Sequence, residues 1–336
     1  MRKIVSLSLL VAAAAFAVFA ASTGYHVVKE IKIGGEGGWD YPEMDSAARR
    51  LYLSHASHVV VVDPDAGKVV GDIPDTPGVH GIQIVPSLNR GFISNGRGNN
   101  VTIFDLKTLK TISQPATGEN PDSIRYEPKT GRVFTFNGRS NNSTAIDAKS
   151  GMVVGTIPMG GKPEFSQADD RGHVFVNIED TNEVVDIDAA KPAVAKRYSI
   201  KPCDGPSGMA IDLKSRRLFS VCGNRMMAIS DPDAGKVIAT PAIGPGPDGV
   251  VFDPSTGYAM SSNGGDGTLT IIKEEAGKWE VLENVATARG ARTIALDAKT
   301  HNVLLPTAVP GPPPTAGQRR GTFLPDSFKV LVVGKQ

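Results

Sequence analysis

The chain carries only two cysteines, Cys203 and Cys222, among 336 residues. That excludes a multi-disulfide scaffold and a zinc site built from cysteine pairs. It has no excess of charge, with 36 Lys plus Arg against 35 Asp plus Glu. Bulk binding to nucleic acid or to a membrane surface therefore has no electrostatic basis. No sustained 3.6-residue period appears after residue 22, so long amphipathic helices are not expected. Gly-x-Ser-x-Gly and Walker motifs are missing too. What is abundant is turn chemistry: 37 Gly and 24 Pro, spread without a period. With 40% hydrophobic and 21% charged residues, the chain can still bury a large core.

The first segment reads apart from the rest. Arg2 and Lys3 precede an apolar stretch from Ile4 to Phe19, and Ala20, Ala21 and Ser22 are small. This is the three-part pattern of a secretory signal peptide, assigned to residues 1–21. The stretch is 16 residues long, short of the roughly 20 that a membrane span needs. No later run approaches a span, so an integral membrane protein is not expected. Neither cysteine lies near the cleavage site to take a lipid anchor. The expectation is a periplasmic or secreted protein, with residues 22–336 as one domain.

That domain repeats itself. The pairs Leu51-Tyr52, Gly91-Phe92, Val133-Phe134, Val174-Phe175, Leu218-Phe219, Ala259-Met260 and Val303-Leu304 recur at intervals of 40, 42, 41, 44, 41 and 44 residues. Around each pair lie short β-branched runs bounded by Gly, Pro, Asn and Asp. That is the pattern of strands and tight turns. Four antiparallel strands per unit of about 40 residues predict a propeller blade. The expected fold is all-β: a seven-bladed β-propeller. The segment Tyr25 to Ile33 matches a fourth strand, and the last unit stops after its third, Phe328 to Val333. The N-terminal strand is therefore expected to close the last blade and remove an exposed edge.

The units resemble the YVTN-type β-propeller repeats of YncE-like periplasmic and surface-layer proteins. The segments carrying the likeness are Arg132-Val133-Phe134-Thr135-Phe136-Asn137, Gly91-Phe92-Ile93-Ser94-Asn95 and Val101-Thr102-Ile103-Phe104-Asp105. The resemblance spans essentially all of the mature chain. It implies the propeller fold and a range of roles: binding proteins, one with affinity for single-stranded DNA, and more distant lactonase-like and haem- or quinone-associated propellers.

Counting back from the repeated pairs puts one residue per blade at the mouth of the central channel. These are Asp40, His80, Asp122, Glu164, Ser207, Asp248 and Arg292. Like charges set this close raise some carboxyl pKa values or attract a cation. The alternative is that they only make turn hydrogen bonds. Loops between second and third strands add Asn95, Arg97, Asn137, Arg139, Glu179, Arg225 and Asn263 to the same face. His55, His58 and His80 form a candidate site for a divalent transition metal, because imidazole is the commonest ligand for such ions. Cys203 and Cys222 flank antiparallel neighbours and are expected to form a disulfide in an oxidising compartment, the alternative being a reactive Cys222 thiol. A long loop from Thr307 to Phe323, with Arg319 and Arg320, lies over the mouth by position. The Asp-Pro-Asp-Ala-Gly segments at Asp63 and Asp231 lack a distal ligand and a helix, and read as turns.

Three functions follow. The first is a non-catalytic binding or scaffold propeller holding a small ligand or an envelope protein. The second is a metal-assisted, lactonase-like hydrolase using His55, His58, His80 and a carboxylate. The third is single-stranded nucleic-acid binding, with the loop arginines on phosphates and Trp39 or Phe165 stacking on bases.

Overall fold

The computed structural model describes residues 22–312 and 322–335. Residues 1–21, expected to be a signal peptide, and Arg319 and Arg320 lie outside the described residues.

The repeated turn chemistry delivers seven four-stranded antiparallel sheets. Blades one to six each take four consecutive strands. Blade three is Pro121–Glu127, Arg132–Asn137, Asn142–Asp147 and Val153–Pro158. Blade seven is Ala295–Asp297, Asn302–Thr307, Lys329–Gly334 and then His26–Lys32 from the N-terminus. The N-terminal strand runs antiparallel to Lys329–Gly334, with Val27 opposite Val333 and Ile31 opposite Val330. Closure by the first strand is therefore the observed topology. Among the described residues no helix is long and apolar enough to cross a membrane.

The core is divided among the junctions. Middle strands are buried on both faces, as in Arg132–Asn137, where every residue after the first is buried. This follows because each blade is covered by its two neighbours. Each of the seven apolar clusters spans two adjacent blades. The cluster at the closing junction unites Ile31, Leu304 and Val330 with Leu51, Leu53 and Val60. The closing junction thus has the same apolar packing as the others.

Part-buried ion pairs stitch particular junctions. Arg49, held at a left-handed φ of 55°, puts Nη1 2.8 Å from both oxygens of Asp297 in blade seven. Its other nitrogens take Asp65 of its own blade at 2.7 and 2.9 Å. Arg216 repeats the device, joining Asp169 of blade four at 3.0 Å to Asp233 of blade five. Planar guanidinium forks suit such double carboxylate contacts.

Candidate functional site

The mouth residues are presented by a repeated irregularity. In blades two to six the innermost strand shifts register just after Val79, Pro121, Pro163, Pro206 and Pro247. His80, Asp122, Glu164, Ser207 and Asp248 stand outside the ladder as a result. A bulge of this kind re-aims a side chain without ending the sheet. The main chain there is held from the neighbouring blade. Ser94 donates to the carbonyl of Asp122, Asn177 to that of Ser207 at 2.8 Å, and Ser262 to that of Arg292 at 2.6 Å. Thr293 donates to the carbonyl of Asp40 at 2.8 Å.

The presented side chains form a chain of contacts. Asp248 pairs with Arg292 Nη1. Arg292 Nη2 lies 3.2 Å from Asp40 Oδ1 and donates to the carbonyl of Trp39 at 3.0 Å. Asp40 Oδ2 meets His80 Nδ1 at 2.6 Å, and Asp122 Oδ1 lies 3.8 Å from the same nitrogen. Glu164 pairs with Lys162 at 2.6 Å, and Lys162 also bridges to Glu179.

The crowding shows in the protonation preferences. Burial pulls the His80 imidazolium down, but the Asp40 hydrogen bond and the Asp122 and Asp40 charges outweigh it, and the pKa rises to about 9. Burial pushes Asp122 up to about 6 against the pull of His80. Glu164 rises to about 8, first through burial and then through the Asp122 charge. Burial also opposes ionisation of Asp40, yet Arg292 and His80 hold its carboxyl below the usual range. The ring therefore mixes carboxylates of different basicity within hydrogen-bonding reach of three cations, Arg292, His80 and Lys162.

The channel narrows beneath this ring. The residue after each ring position is small in five blades: Gly81, Ser123, Gly208, Gly249 and Thr293. A Cβ on Gly208 would stand 2.6 Å from the carbonyl oxygen of Asp248, so glycine permits the neighbouring main chain to approach. In blades one and four the position holds Tyr41 and Phe165. Their rings meet across the axis with centroids 4.6 Å apart. Arg125 covers the other side of Phe165, 5.5 Å from its centroid. Below them Glu43, pushed up to about 7 by burial, lies 3.3 Å from the Gln83 amide.

Other sequence-selected residues are placed differently. Asn95 and Asn137 are fully buried rather than presented at the mouth. Asn95 donates to Asn100 and Thr102 at 2.6 and 2.8 Å. Asn137 donates likewise to Asn142 and Thr144 at 2.8 and 3.0 Å. Their amides bracket the turn between second and third strands, inside the blade. Arg97 and Arg139 are exposed on that face, without an ion pair among the described residues. Ser207 Oγ donates to the carbonyl of Pro247 at 3.3 Å and has no imidazole beside it. Cys203 and Cys222 are disulfide-bonded, which removes the reactive-thiol alternative.

The three histidines are not brought together. His58 turns outward to Asp72, 2.5 Å away. His55 stacks on Phe328 with centroids 4.4 Å apart. Among the described residues, the one set of three His, Cys, Asp or Glu ligand atoms lying within 4.8 Å of one another is Asp40, His80 and Asp122. Sequence position put His55 and His58 on the right face, but the hairpin directs one ring into the closing junction and the other to solvent.

His55 carries a pH dependence of its own. Burial, then the nearby His58 charge, lowers its pKa to about 4. Its Nε2 is buried without a hydrogen-bond partner. The unfolded chain takes up this proton near pH 6.5, the native protein only near 4. Stability is thus intact above the unfolded value and falls as pH drops through this window. Between pH 7 and 4.5 the loss from this group is expected to be roughly 2 kcal/mol. Urea unfolding of the wild type and His55→Phe across that range checks it. Parallel curves would refute the assignment.

Beside the ring opens a cavity of about 980 Å³. Trp39, Phe323, Leu324 and Phe328 form an apolar wall, the glycine-rich segment Gly35–Gly38 a second, and Asp248 and Arg292 join it to the ring. Trp39 packs against Phe323 and Phe328 with centroids 4.6 and 5.4 Å apart. The sequence offered a signal for this feature in the atypical last blade and its long loop, but not for the aromatic wall. The described parts of that loop, 307–312 and 322–323, contribute Ala308, Pro310 and Phe323 to the lining.

No family model matches the chain, and no curated protein does. Solved structures do match. Hydrazine synthase of Kuenenia stuttgartiensis superposes with a TM-score of 0.69 at 15% identity, over 80% of this chain and 92% of that one. The structure of U3-55K gives 0.75 at 8% identity, over 90% and 97% of the two chains. The WD40 repeats of RRP9 give 0.77 at 7% identity, over 93% and 98%. At such identities the likeness speaks for architecture alone, and the architecture it supports is the seven-bladed β-propeller.

Proposed function

We propose that the protein is an exported, non-catalytic binding propeller of the YVTN/YncE-like kind, which takes a small amphipathic ligand at the channel mouth. The observation that carries this reading is the union of an aromatic-walled cavity with a charged ring. A cavity of about 980 Å³ lies at the upper end of the range for small-molecule sites. Apolar walls supply affinity, and a few convergent polar groups fix orientation. The ligand's apolar body lies against Trp39 and Phe323, and its polar end meets Arg292 and Asp248. Of the aromatics that could stack on bases, Phe165 packs against Tyr41, and the arginines that could take phosphates share the mouth with Asp40, Asp122, Glu164 and Asp248. The nucleic-acid reading therefore has less support.

Tryptophan fluorescence tests the proposal directly. The chain has two Trp, and Trp279 lies on an outer strand against Phe219. With Trp279→Phe as background, Trp39 is the sole reporter. Anilinonaphthalene sulfonate, an aromatic body with a charged head, is expected to bind saturably and quench it. Phe323→Ala is expected to weaken binding about tenfold, the loss of one stacked aromatic contact plus buried area. Unsaturable binding, or quenching indifferent to Phe323, would refute it.

A further inference from the structure

We propose that Asp40, His80 and Asp122 together hold one divalent transition-metal ion at the channel mouth. The proposal rests on the reading of the mouth as a binding site and gives that site an inorganic component.

Three consecutive blades contribute one ligand each, from the same structural position. Their candidate atoms lie within 4.8 Å of one another. They are one imidazole nitrogen and two carboxylate oxygens, a donor set suited to Zn²⁺ or Mn²⁺ rather than to a soft ion. The ion displaces the His80 proton, so two carboxylates balance the dication and the deprotonated imidazole adds a ligand without excess charge. Asp40 divides its oxygens: Oδ1 faces Arg292 at 3.2 Å and Oδ2 faces His80. The guanidinium is therefore on the far side of Asp40 from the ion position.

A second observation points to a missing partner. Asp122 Oδ1 is buried and accepts no hydrogen bond, while standing 3.8 Å from His80 Nδ1. A buried carboxylate oxygen without a donor is costly, and such atoms in native proteins call for an explanation. A cation between Asp122 Oδ1, Asp40 Oδ2 and His80 Nδ1 satisfies it. Ligand atoms of a bound zinc ion lie roughly 3.3 Å apart, so small rotations of the side chains suffice. Three protein ligands leave a fourth position open. That position is available to the polar end of a molecule bound at the mouth.

The test uses the full mature chain, untagged and stripped with chelator. Titration calorimetry with zinc chloride is expected to give one ion per chain, and cobalt(II) a visible d–d band. Asp122→Asn, nearly isosteric, is expected to weaken zinc binding tenfold or more. His80→Gln provides an independent second variant, with circular dichroism to verify folding in both. His58→Ala is the control for the exposed His58–Asp72 pair and is expected to leave the stoichiometric site intact. No stoichiometric ion, or one lost with His58→Ala and kept in both ring variants, overturns the proposal. Dye binding at Trp39 is measured alongside. Loss of metal with dye binding kept separates failure of the ion site from failure of the cavity reading.

Discussion

A chain that begins at Gly34 is expected not to reach the native state. Removing residues 22–33 takes the fourth strand from blade seven and leaves the full length of Lys329–Gly334 as an unpaired edge. It also removes Ile31, only 1% exposed, from the cluster joining blades seven and one. Two clips go with it: Thr23 on Glu283 of blade six at 2.8 Å, and Lys29 on the carbonyls of Pro64 and Asp65 in blade one. Truncating Ile31 alone to Ala is expected to cost about 3 kcal/mol. Losing the whole strand removes several such contributions, against a typical total stability of about 5–15 kcal/mol. The exposed apolar edge is also a template for aggregation. The truncated chain is expected in the insoluble fraction, or soluble without a cooperative transition by near-ultraviolet circular dichroism. A peptide of residues 22–33 added during refolding is expected to restore part of the transition. A truncated chain that melts like the mature one would show that closure does not hold the ring.

The same strand shows what a sequence can disclose. Its place was legible because the evidence is local and periodic: a fourth-strand pattern at one end and a missing fourth strand at the other. The mouth residues were legible for a related reason. Repeat units place equivalent positions equivalently, so counting from Val133-Phe134 or Leu218-Phe219 reaches Asp122 or Ser207 without knowledge of contacts. Contacts between blades were not legible. Asp40 and His80 are 40 residues apart, and the packing of blade two on blade one together with the bulge after Val79 puts Nδ1 and Oδ2 at 2.6 Å. Asn95 and Asn137 were expected at the mouth because polarity was taken for exposure, and both are buried. Their amides instead close a turn between strands five residues apart. His55 failed similarly, since alternation within a strand does not say whether a hairpin end meets solvent or Phe328. Tyr41 and Phe165 did carry a signal. They are the two aromatics at a position otherwise held by small residues, which marks where side chains cross an axis.

Replacing both Cys203 and Cys222 by Ala is expected to cost about 3 kcal/mol, from the chain-entropy loss of a loop closed across a separation of 19 residues. The cysteines link the segment before blade five to the end of its second strand, and both are buried. The loop is pinned by other bonds as well. Asn224 donates to the carbonyl of Pro202 at 2.8 Å, and Gly223 to that of Gly205 at 3.1 Å. The folded state is therefore expected to keep its shape, with the loss acting mainly through a freer unfolded chain. Urea unfolding checks this with an internal control. Reductant is expected to lower the wild-type midpoint to that of the double variant and leave the variant unmoved. Equal midpoints for both proteins under oxidising conditions would show that the bond contributes nothing. The experiment also bears on where the chain folds. Such bonds persist in oxidising compartments, and this one is consistent with an extracellular location. Arg292 and Asp40 belong to blades away from the disulfide. Ligand and metal binding at the mouth are thus expected to survive its loss, which separates stabilisation of the ring from the chemistry of the site.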